Sequence, residues 1–404
     1  MDLLTAAERI ASFDRSPVEL KTDECLHALD KFANCEACFA LCPVQAIQPG
    51  KPPSLDNDIC QTCLGCLPAC PVGAYKAVDV VPPLLNCVAR ANVRSIELIC
   101  EAHPNAANSP PGSELALQTR GCLSNLGTGT YLVLLAMGME RISIRLDACN
   151  QCPWGSLRTV IENQISAAKQ LSTPWGYSEK LISILDGDML EETGRPLWKA
   201  ENPPVSRRDL FRLSSYIAQP EILQSLSSEQ SEIGNQRLSQ DRRRIIAALV
   251  HFPEIEVVDE SLTLDEMGFY GLSISEDCTA CGVCGRACPT GALEFKTRNN
   301  AQFQLLFTSQ ACISCDICIQ ICPQDAVTFS SEPSFKYVFI NEFPISLIEG
   351  DLTRCQKCHA LMNAKSGSKF CSICEFRRKN PFGSALPPGY KPPSTSVQQD
   401  ETNT

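Results

Sequence analysis

Cysteine is the residue type through which this chain could do most chemistry, because 25 of its 404 residues carry a thiol. The thiols are grouped, and none lies between Cys152 and Cys278, which marks a candidate domain boundary. Thiolates bind metals and thiols form disulfides, so grouped cysteines indicate metal sites or a disulfide scaffold. Four stretches end alike, in Cys-Pro, two variable residues and Ala, and we interpret them as one paired unit used twice. They begin at Cys42, Cys70, Cys288 and Cys322.

A secreted disulfide scaffold is the less favourable interpretation. The number of cysteines is odd, and the chain is much longer than a disulfide-rich mini-domain. The first residues, MDLLTAAERIASFDR, show no positively charged segment followed by an apolar core, so we expect no secretory signal. The longest apolar run, residues 131–139, is far short of the roughly 20 residues that span a bilayer. We therefore expect a cytoplasmic protein with metal-bound thiolates and no membrane insertion.

A complete cysteine spacing, C-x2-C-x2-C-x3-C-P, occurs three times. It is the spacing of bacterial ferredoxins, in which three thiolates bind one 4Fe–4S cluster and the fourth binds the neighbouring cluster. Gly65, Gly282 and Gly285 are expected to allow the tight backbone that points N–H groups at sulfur. Zinc sites or buried free thiols are the alternative, but zinc normally takes two C-x2-C pairs at a wider separation. The copies are Cys60, Cys63, Cys66, Cys70; Cys278, Cys281, Cys284, Cys288; and Cys312, Cys315, Cys318, Cys322.

The segment from Cys278 to Cys322 resembles a complete two-cluster ferredoxin. In such a domain the fourth cysteine of each signature serves the other cluster. The resemblance implies one 4Fe–4S cluster on Cys278, Cys281, Cys284 and Cys322, and another on Cys288, Cys312, Cys315 and Cys318.

The N-terminal unit resembles the same kind of domain, with one departure. Phe32 stands where the first cysteine of the first signature is expected. Cys25 lies ten residues before Cys35 and could complete this cluster across a short helical turn. The alternative is a 3Fe–4S or labile cluster, with Cys25 as a thiol of the core. The predicted 4Fe–4S ligand sets are Cys25, Cys35, Cys38, Cys70 and Cys42, Cys60, Cys63, Cys66.

The middle segment has the pattern of a small α/β domain. VRSIELIC, ELALQTRGC and ERISIRLDAC are predicted strands, and LSNLGTGTYLVLLAMGM is predicted as a helix too apolar to be exposed. Strand–helix–strand order predicts a parallel sheet, whose carboxyl strand ends form the ligand crevice. Four cysteines follow these strands, and two thiolates per iron would suit a 2Fe–2S centre. They are Cys100, Cys122, Cys149 and Cys152.

This segment resembles the delta subunit of methyl-viologen-reducing hydrogenases, an iron–sulfur protein that passes electrons between hydrogenase and heterodisulfide reductase. The resemblance is carried by the strand-terminal Cys100, by Cys122 ahead of a Gly-containing helix, and by GMERISIRLDACNQC. The spacing Cys149-x2-Cys152 is narrower than in that family, and a histidine of the family is absent here. The alternative is an α/β domain whose cysteines are core thiols or zinc ligands.

The C-terminal cysteines form two C-x2-C pairs, Cys355/Cys358 and Cys371/Cys374, with twelve residues between them. This is the spacing of a zinc ribbon with one tetrahedral site of four thiolates. A rubredoxin-like iron site uses similar pairs, and we favour zinc. His359 is expected at the surface or beside the site rather than as a ligand.

The predicted fold class is α+β multidomain, with two ferredoxin-like modules around a small α/β domain and a zinc-ribbon-like knuckle. The segment DRRRIIAALVHF is predicted as a helix near the end of a linker. The predicted divisions are 1–85, N-terminal ferredoxin-like; 90–172, α/β; 173–250, linker with helices, partly disordered; 251–335, C-terminal ferredoxin; 350–380, knuckle; and 381–404, disordered tail.

Charge and motifs narrow the function. A net charge of −11 and a pI near 5.0 disfavour nucleic acid as a partner and suit redox proteins with basic surfaces. We find no Ser/His/Asp set, no H-E-x-x-H and no P-loop, so no catalytic residue is predicted. We expect an electron-transfer protein within or beside a hydrogenase- or heterodisulfide-reductase-like oxidoreductase. The alternatives are an iron–sulfur redox or oxygen sensor or assembly protein, and a catalytic subunit that reduces a disulfide or sulfur substrate.

Overall fold

The computed structural model describes residues 18–192, 194–204, 222–223, 237–253, 268–330 and 344–380. The predicted C-terminal tail and parts of the predicted linker lie outside these residues. The α-helices with described bounds are α1 (Leu26–Leu29), α2 (Cys66–Ala69), α3 (Val81–Ala91), α4 (Gly127–Ala136), α5 (Leu157–Ser172), α6 (Gln240–His251), α7 (Val283–Ala287), α8 (Ile317–Gln320) and α9 (Ser372–Lys379). The strands are β1 (Glu19–Leu20), β2 (Ile47–Gln48), β3 (Ser54–Leu55), β4 (Tyr75–Lys76), β5 (Ser95–Cys100), β6 (Asn108–Ser109), β7 (Leu115–Thr119), β8 (Arg141–Arg145), β9 (Leu181–Ile184), β10 (Glu191–Glu192), β11 (Leu197–Lys199), β12 (Gly271–Ile274), β13 (Leu293–Arg298), β14 (Gln302–Phe307), β15 (Val327–Ser330), β16 (Ile345–Arg354) and β17 (Leu361–Asn363).

A parallel five-stranded sheet lies at the centre, in the order β11-β7-β5-β8-β9. The inner strands are apolar runs, and Ile96, Leu98 and Leu117 are fully buried. Strands that are covered on both faces need such runs, because neither side meets water. Helix α4 is buried over its whole circumference, as its apolar sequence predicts. The predicted parallel α/β layer is therefore confirmed.

The sheet extends beyond the predicted 90–172 segment. Strand β9 pairs with β8, and β11 pairs with β7, and both lie within the stretch predicted as a linker with helices. The sequence did not reveal them because they are short, half-exposed edge strands in polar surroundings. Part of the predicted linker is thus built into the sheet.

The N-terminal and C-terminal cysteine-rich segments have the same strand pairing. In each, the strand ahead of the cysteines pairs antiparallel with the strand that follows the last Cys-Pro stretch: β1 with β4, and β12 with β15. In each, the strand after the first Cys-Pro stretch forms a hairpin with its successor: β2 with β3, and β13 with β14. The repeat that is visible in the sequence is therefore a repeat of topology.

The C-terminal cysteine pairs are attached to the neighbouring cysteine-rich segment through a shared sheet. Strand β16 pairs antiparallel with β14, for example at Leu305 and Ile348, and β17 continues the sheet beyond β16. The segment predicted as a separate knuckle is thus an extension of this sheet.

Helix α6 joins the parts of the chain. It begins one residue before the predicted DRRRIIAALVHF helix and packs along α4. The carboxylate of Asp241 accepts a hydrogen bond from the N–H of Gly129 at 2.7 Å. A Cβ at Gly129 would lie 2.5 Å from the backbone oxygen of Asp241, so only glycine permits this approach. One turn further along α6, Arg244 forms an ion pair with Asp79 of the N-terminal segment.

No helix in the described part of the chain is long and apolar enough to cross a membrane.

Candidate metal centres

Two cavities in the C-terminal cysteine-rich segment are lined by the two cysteine sets that the spacing predicts. One cavity, with about 430 Å³ of empty space, is lined by Cys278, Cys281, Cys284 and Cys322. The other, with about 340 Å³, is lined by Cys288, Cys312, Cys315 and Cys318. The fourth cysteine of each signature therefore lies with the first three of the other, which is the exchange expected of two neighbouring clusters.

The loops between these cysteines use left-handed backbone at fixed positions. In each complete signature the two residues that flank the second cysteine have positive φ, with values between 49° and 65°. These residues are Thr62, Leu64; Ala280, Gly282; and Ser314, Asp316. Five of the six are not glycine, so these turns hold residues that rarely adopt this conformation. The shared geometry shows that the three loops wrap in the same way.

The three glycines of these loops are required in two different ways. Gly282 has φ +65°, as a tight left-handed turn requires, but Gly65 has φ −60°. Gly65 and Gly285 are required for a different reason, because neighbouring atoms leave no space for a Cβ. A Cβ would lie 2.9 Å from the hydroxyl oxygen of Ser124 at the first, and 3.0 Å from the backbone nitrogen of Phe295 at the second.

The four Cys-Pro-x-x-Ala stretches form one repeated turn. The residue before the alanine has positive φ in all of them: Gln45, Gly73, Gly291 and Asp325. In three stretches the alanine N–H then donates to the sulfur of the cysteine, at 3.2 to 3.3 Å, as in Ala74 to Cys70. In the fourth, the hydroxyl of Thr290 lies 3.7 Å from the Cys288 sulfur. Donors to sulfur stabilise a thiolate that binds a metal.

A third cavity, with about 360 Å³ of empty space, lies in the N-terminal segment. It is lined by Cys25, Cys35, Cys38 and Cys70, the predicted set for the incomplete signature. Cys25 is placed there by α1, the short helical turn that begins directly after it. The structure thus brings Cys25 to the position that a fourth ligand needs, although its role as a ligand stays a prediction.

The loop around Cys35 departs from the other three. Asn34 and Glu36, which flank Cys35, do not have the positive φ found at the equivalent positions of the complete signatures. The missing cysteine at Phe32 is therefore accompanied by a different backbone path.

Two polar side chains that the sequence did not single out line this third cavity. The hydroxyl of Tyr75 and the Nδ1 atom of His27 are buried, and neither has a nitrogen or oxygen partner among the described residues. Burial, followed by the neighbouring Cys38 thiol, raises the pKa of Tyr75, so its hydroxyl stays protonated and able to donate. The other nitrogen of His27, Nε2, lies 2.8 Å from the carbonyl oxygen of Cys35. In the sequence, its position near the cysteines is the one signal that could have identified Tyr75 as a residue of the site.

The remaining N-terminal set also converges. Burial, followed by Coulombic repulsion among the thiolate forms, raises the pKa of Cys66, and the repelling groups are Cys63, Cys60 and Cys42. The pKa of Cys63 is raised to about 11, mainly by burial. Cys42, Cys60, Cys63 and Cys66 are therefore neighbours, and their role as ligands of one cluster stays a prediction.

The middle cysteines meet at the carboxyl ends of adjacent strands. Cys100 ends the central strand β5, Cys122 follows β7, and Cys149 and Cys152 follow β8. Burial raises the pKa of Cys100 to about 11 and that of Cys149 to about 12. Cys122 and Cys152 add to both shifts, and Cys100 adds to that of Cys149. The N–H of Trp154 donates to the Cys152 sulfur at 3.4 Å. The four thiols thus come together at these strand ends, and their role as ligands of one centre stays a prediction.

A buried ion network fixes these strand ends. Arg145, at the end of β8, donates to Glu97 of β5 and to Asp147, each at 2.6 Å. Arg195 also donates to Glu97, and His103, which follows Cys100, contacts Asp147 at 3.2 Å. Burial acts to raise the pKa of Asp147, but hydrogen bonds from Arg145 and His103 hold it well below its usual value. This network could not be recognised from the sequence, because its members lie up to 98 positions apart and follow no motif.

The middle site adjoins an N-terminal site. The N–H of Cys122 donates to the carbonyl oxygen of Cys63 at 3.3 Å. Gly121, with φ +73°, makes this approach possible, since a Cβ there would lie 3.2 Å from that same oxygen.

These crowded, mostly half-buried thiols fit cationic iron–sulfur cores. Burial raises most of their pKa values, and each thiolate would repel its neighbours. Metal ions remove this penalty, because they bind the deprotonated sulfur and supply the opposing charge. The donor sets are made of sulfur alone, which is the chemistry that iron–sulfur clusters require.

The C-terminal cysteines form a tighter group. The sulfur atoms of Cys355, Cys358, Cys371 and Cys374 all lie within 4.8 Å of one another, close enough to share one ion. Backbone N–H groups of Cys358 and Cys371 lower the pKa of Cys355 to about 6. Cys371 and Cys374 are presented by the start of α9. His359 is exposed beside the site, as expected, and is not part of the group.

Cys87 is the remaining thiol and is buried in α3. Its sulfur donates a hydrogen bond to the carbonyl oxygen of Ala200 at 3.2 Å, next to strand β11. Cys87 therefore contacts the edge of the sheet and belongs to none of the six cysteine groups.

Comparison with known proteins identifies one part of the chain. Residues 277–326 match the family of 4Fe-4S dicluster domains. No curated protein matches the chain. The matched range contains all eight cysteines that line the two cavities of the C-terminal segment. The chain therefore contains a 4Fe–4S dicluster domain, which supports an iron–sulfur electron-transfer role.

Proposed function

We propose that this chain is a multi-cluster electron carrier that relays single electrons between protein partners. The observation that supports it most directly is the matched dicluster domain, whose eight cysteines line two cavities in the predicted exchange of ligands. The N-terminal segment repeats the strand pairing and the Cys-Pro turns of that domain. We therefore propose two further 4Fe–4S clusters there, one of them completed by Cys25.

We further propose a 2Fe–2S centre at the strand ends and zinc in the C-terminal group. Four convergent sulfurs support the former, and four sulfurs within 4.8 Å support the latter. The likeness of the middle segment to a hydrogenase delta subunit leads us to propose a hydrogenase- or heterodisulfide-reductase-like partner. The chain's acidity suits partners with a basic docking surface.

The protein's own part in such a relay is to place and tune the clusters. Bound iron–sulfur clusters supply one-electron exchange, and their potentials depend on burial, charge and hydrogen bonds to sulfur. Alanine N–H groups donate to the sulfurs of Cys42, Cys70 and Cys322. The exposed Cys281 marks a place where an external partner can approach its site closely, since the other three cysteines of that set are less exposed.

Metal analysis of anaerobically purified protein tests the proposal. Full occupancy gives about 18 iron atoms per chain, from four 4Fe–4S clusters and one 2Fe–2S centre, with sulfide in proportion. Reduction with dithionite should give interacting cubane signals in electron paramagnetic resonance (EPR). An iron content below about 8 atoms would remove the multi-cluster relay, since two 4Fe–4S clusters alone need that many.

A redox or oxygen sensor is the second candidate, and the departure at Phe32 and around Cys35 favours it. A cluster held in a different loop is a candidate for selective loss. Brief exposure to air should then remove one cluster and change the chain's association with a partner. Retention of all clusters, with rapid reoxidation by an electron acceptor, would instead favour the carrier.

A further inference from the structure

The start of helix α6 lies between two of the candidate cluster sites. The N–H of Ser239 donates to the carbonyl oxygen of Pro71 at 3.1 Å, directly after the site cysteine Cys70. The guanidinium of Arg242 donates to the carbonyl oxygen of Cys312 at 3.0 Å, and to that of Gln310 at 3.0 Å. The hydroxyl of Ser239 accepts the N–H of Arg242 at 3.1 Å. One turn of backbone thus spans from the N-terminal to the C-terminal site.

We propose that Ser239 and Arg242 form the electronic contact between the Cys25–Cys70 site and the Cys288–Cys318 site, so that the chain's sites form one series. The inference rests on the proposed function, because it concerns residues that face clusters. An electron would leave a reduced cluster, which is thereby oxidised, and reduce its neighbour. No bond is made or broken and no proton moves.

The packing determines which site of each pair lies next to the start of α6. On the C-terminal side, Ile317 is fully buried in the main core, and Cys315 packs against it. Of the eight cysteines of this segment, Cys315 alone packs against the main core. The separate core of the C-terminal segment takes Cys284, Cys288, Cys312, Cys318 and Cys322, and Cys281 is exposed. The Cys288–Cys318 site is therefore the inner member of its pair.

The N-terminal pair is oriented in a matching way. Its Cys25–Cys70 site faces α6, because a Cβ at Gly73 would lie 3.4 Å from the Cα of Ser239. Arg237 adds a contact to the carbonyl oxygen of Asp23, near Cys25. The other N-terminal site, which contains Cys63, meets the middle cysteines through the hydrogen bond between Cys63 and Cys122. The contacts thus define a series from the exposed Cys281 to the strand-end site.

Arg242 has properties that suit a fixed contact. Its guanidinium lies 3.4 Å from the centre of the Phe269 ring, and the residue is 9% exposed. A guanidinium is charged at neutral pH. A fixed positive charge beside Cys312 stabilises the more negative, reduced form of a cluster. Arg242 is therefore a positioning residue that also raises the potential of the inner site.

The test compares Arg242→Met with the control Arg243→Met, which changes the adjacent, exposed arginine of the same helix. The full chain is purified anaerobically and titrated under EPR. Arg242→Met should lower the midpoint potential of one 4Fe–4S cluster and leave the others unchanged. After mixing with a substoichiometric low-potential reductant, freeze-quenched samples should show slower redistribution of electrons among clusters. Arg243→Met should match the wild type in both measurements.

Unchanged potentials and an unchanged redistribution rate in Arg242→Met would overturn the inference. If that variant does not fold, Arg242→Lys decides, because lysine keeps the charge but lacks the two-pronged geometry. It should slow redistribution with little change in potential, and wild-type kinetics would overturn the inference. A wild-type protein without 4Fe–4S clusters would instead refute the proposed function, so the two failures are distinguishable.

Discussion

The amide of Cys122 donates a hydrogen bond to the carbonyl oxygen of Cys63 at 3.3 Å, and this bond joins two cysteine groups of different architecture. Cys63 belongs to a loop of the ferredoxin spacing, whereas Cys122 follows a strand of a parallel sheet. Two groups that the sequence separates by 59 positions thus share one backbone contact. The α/β domain and the N-terminal segment therefore form a continuous arrangement of candidate sites.

Substitution of Cys25 tests the departure from the ferredoxin pattern. Cys25→Ala should remove about four iron atoms per chain, or one with conversion to a 3Fe–4S cluster, because a 4Fe–4S cluster needs four ligands. Metal analysis and EPR of the oxidised protein distinguish these results. The matched control is Cys87→Ala, which removes the thiol outside the cysteine groups and should leave the iron content unchanged. A full cubane signal in Cys25→Ala would show that Cys25 is not a ligand.

Replacing Tyr75 by the similarly shaped phenylalanine tests whether its hydroxyl tunes the potential of a cluster. Its buried hydroxyl lies beside the Cys38 thiol and has no nitrogen or oxygen partner among the described residues, so it is available to a sulfur atom. Tyr75→Phe should lower the midpoint potential of one 4Fe–4S cluster, because a hydrogen bond to sulfur stabilises the reduced form. The change is measured by redox titration under EPR. Tyr177→Phe, at a tyrosine that packs on Phe252 away from the cysteines, is the control and should titrate as the wild type. Equal potentials in all three proteins would contradict this role.

Asp241 gives a pH-dependent prediction. Burial raises its pKa to about 6, above the ordinary value of about 3.9 for an unfolded chain. The folded state therefore holds the extra proton, so the contribution of Asp241 to stability is present below pH 4 and is lost as the pH rises through 6. Asp241→Asn stays neutral and keeps an oxygen for the Gly129 N–H. Its melting temperature relative to the wild type should rise between pH 5 and 7, measured anaerobically by calorimetry. A difference that is constant with pH would show that Asp241 titrates normally.

The C-terminal group should hold a metal that is independent of the clusters. Cys358→Ser should remove one zinc atom per chain and leave iron, sulfide and the visible spectrum unchanged, because this ligand set is separate from the others. His359→Ala, at the exposed neighbouring position, should retain the zinc. Loss of one iron atom without sulfide would instead identify a rubredoxin-like site.

The sequence predicted the cysteine groups well because their chemistry dictates short spacings. A loop that surrounds one cluster must repeat its cysteines every three residues, so Cys278, Cys281 and Cys284 are recognisable without a structure. The strand ends of the middle segment were predictable for a similar reason, since apolar runs such as the one ending at Cys100 reveal buried strands. In both cases the signal is local.

The features that were missed are non-local. Strand β11 is only three residues long, and its pairing with β7 depends on a partner about 80 positions away. The contacts of Arg242 with Cys312 and of Asp241 with Gly129 join residues far apart in the chain. The DRRR run indicated only a helix with basic residues. Which of these side chains is buried, and against which partner, depends on how the parts pack together.

The exchange of the fourth cysteine has a consequence for how such a protein can be divided. The cavity of Cys278 is completed by Cys322, and that of Cys312 by Cys288, so neither cavity is encoded by a continuous piece of chain. A gene truncated between the two signatures would encode three of the four cysteines of the first cavity. Of the second cavity it would encode Cys288 alone. Shortening the chain therefore cannot remove one cavity and leave the other complete, so the pair can be inherited, transplanted or lost only as a whole.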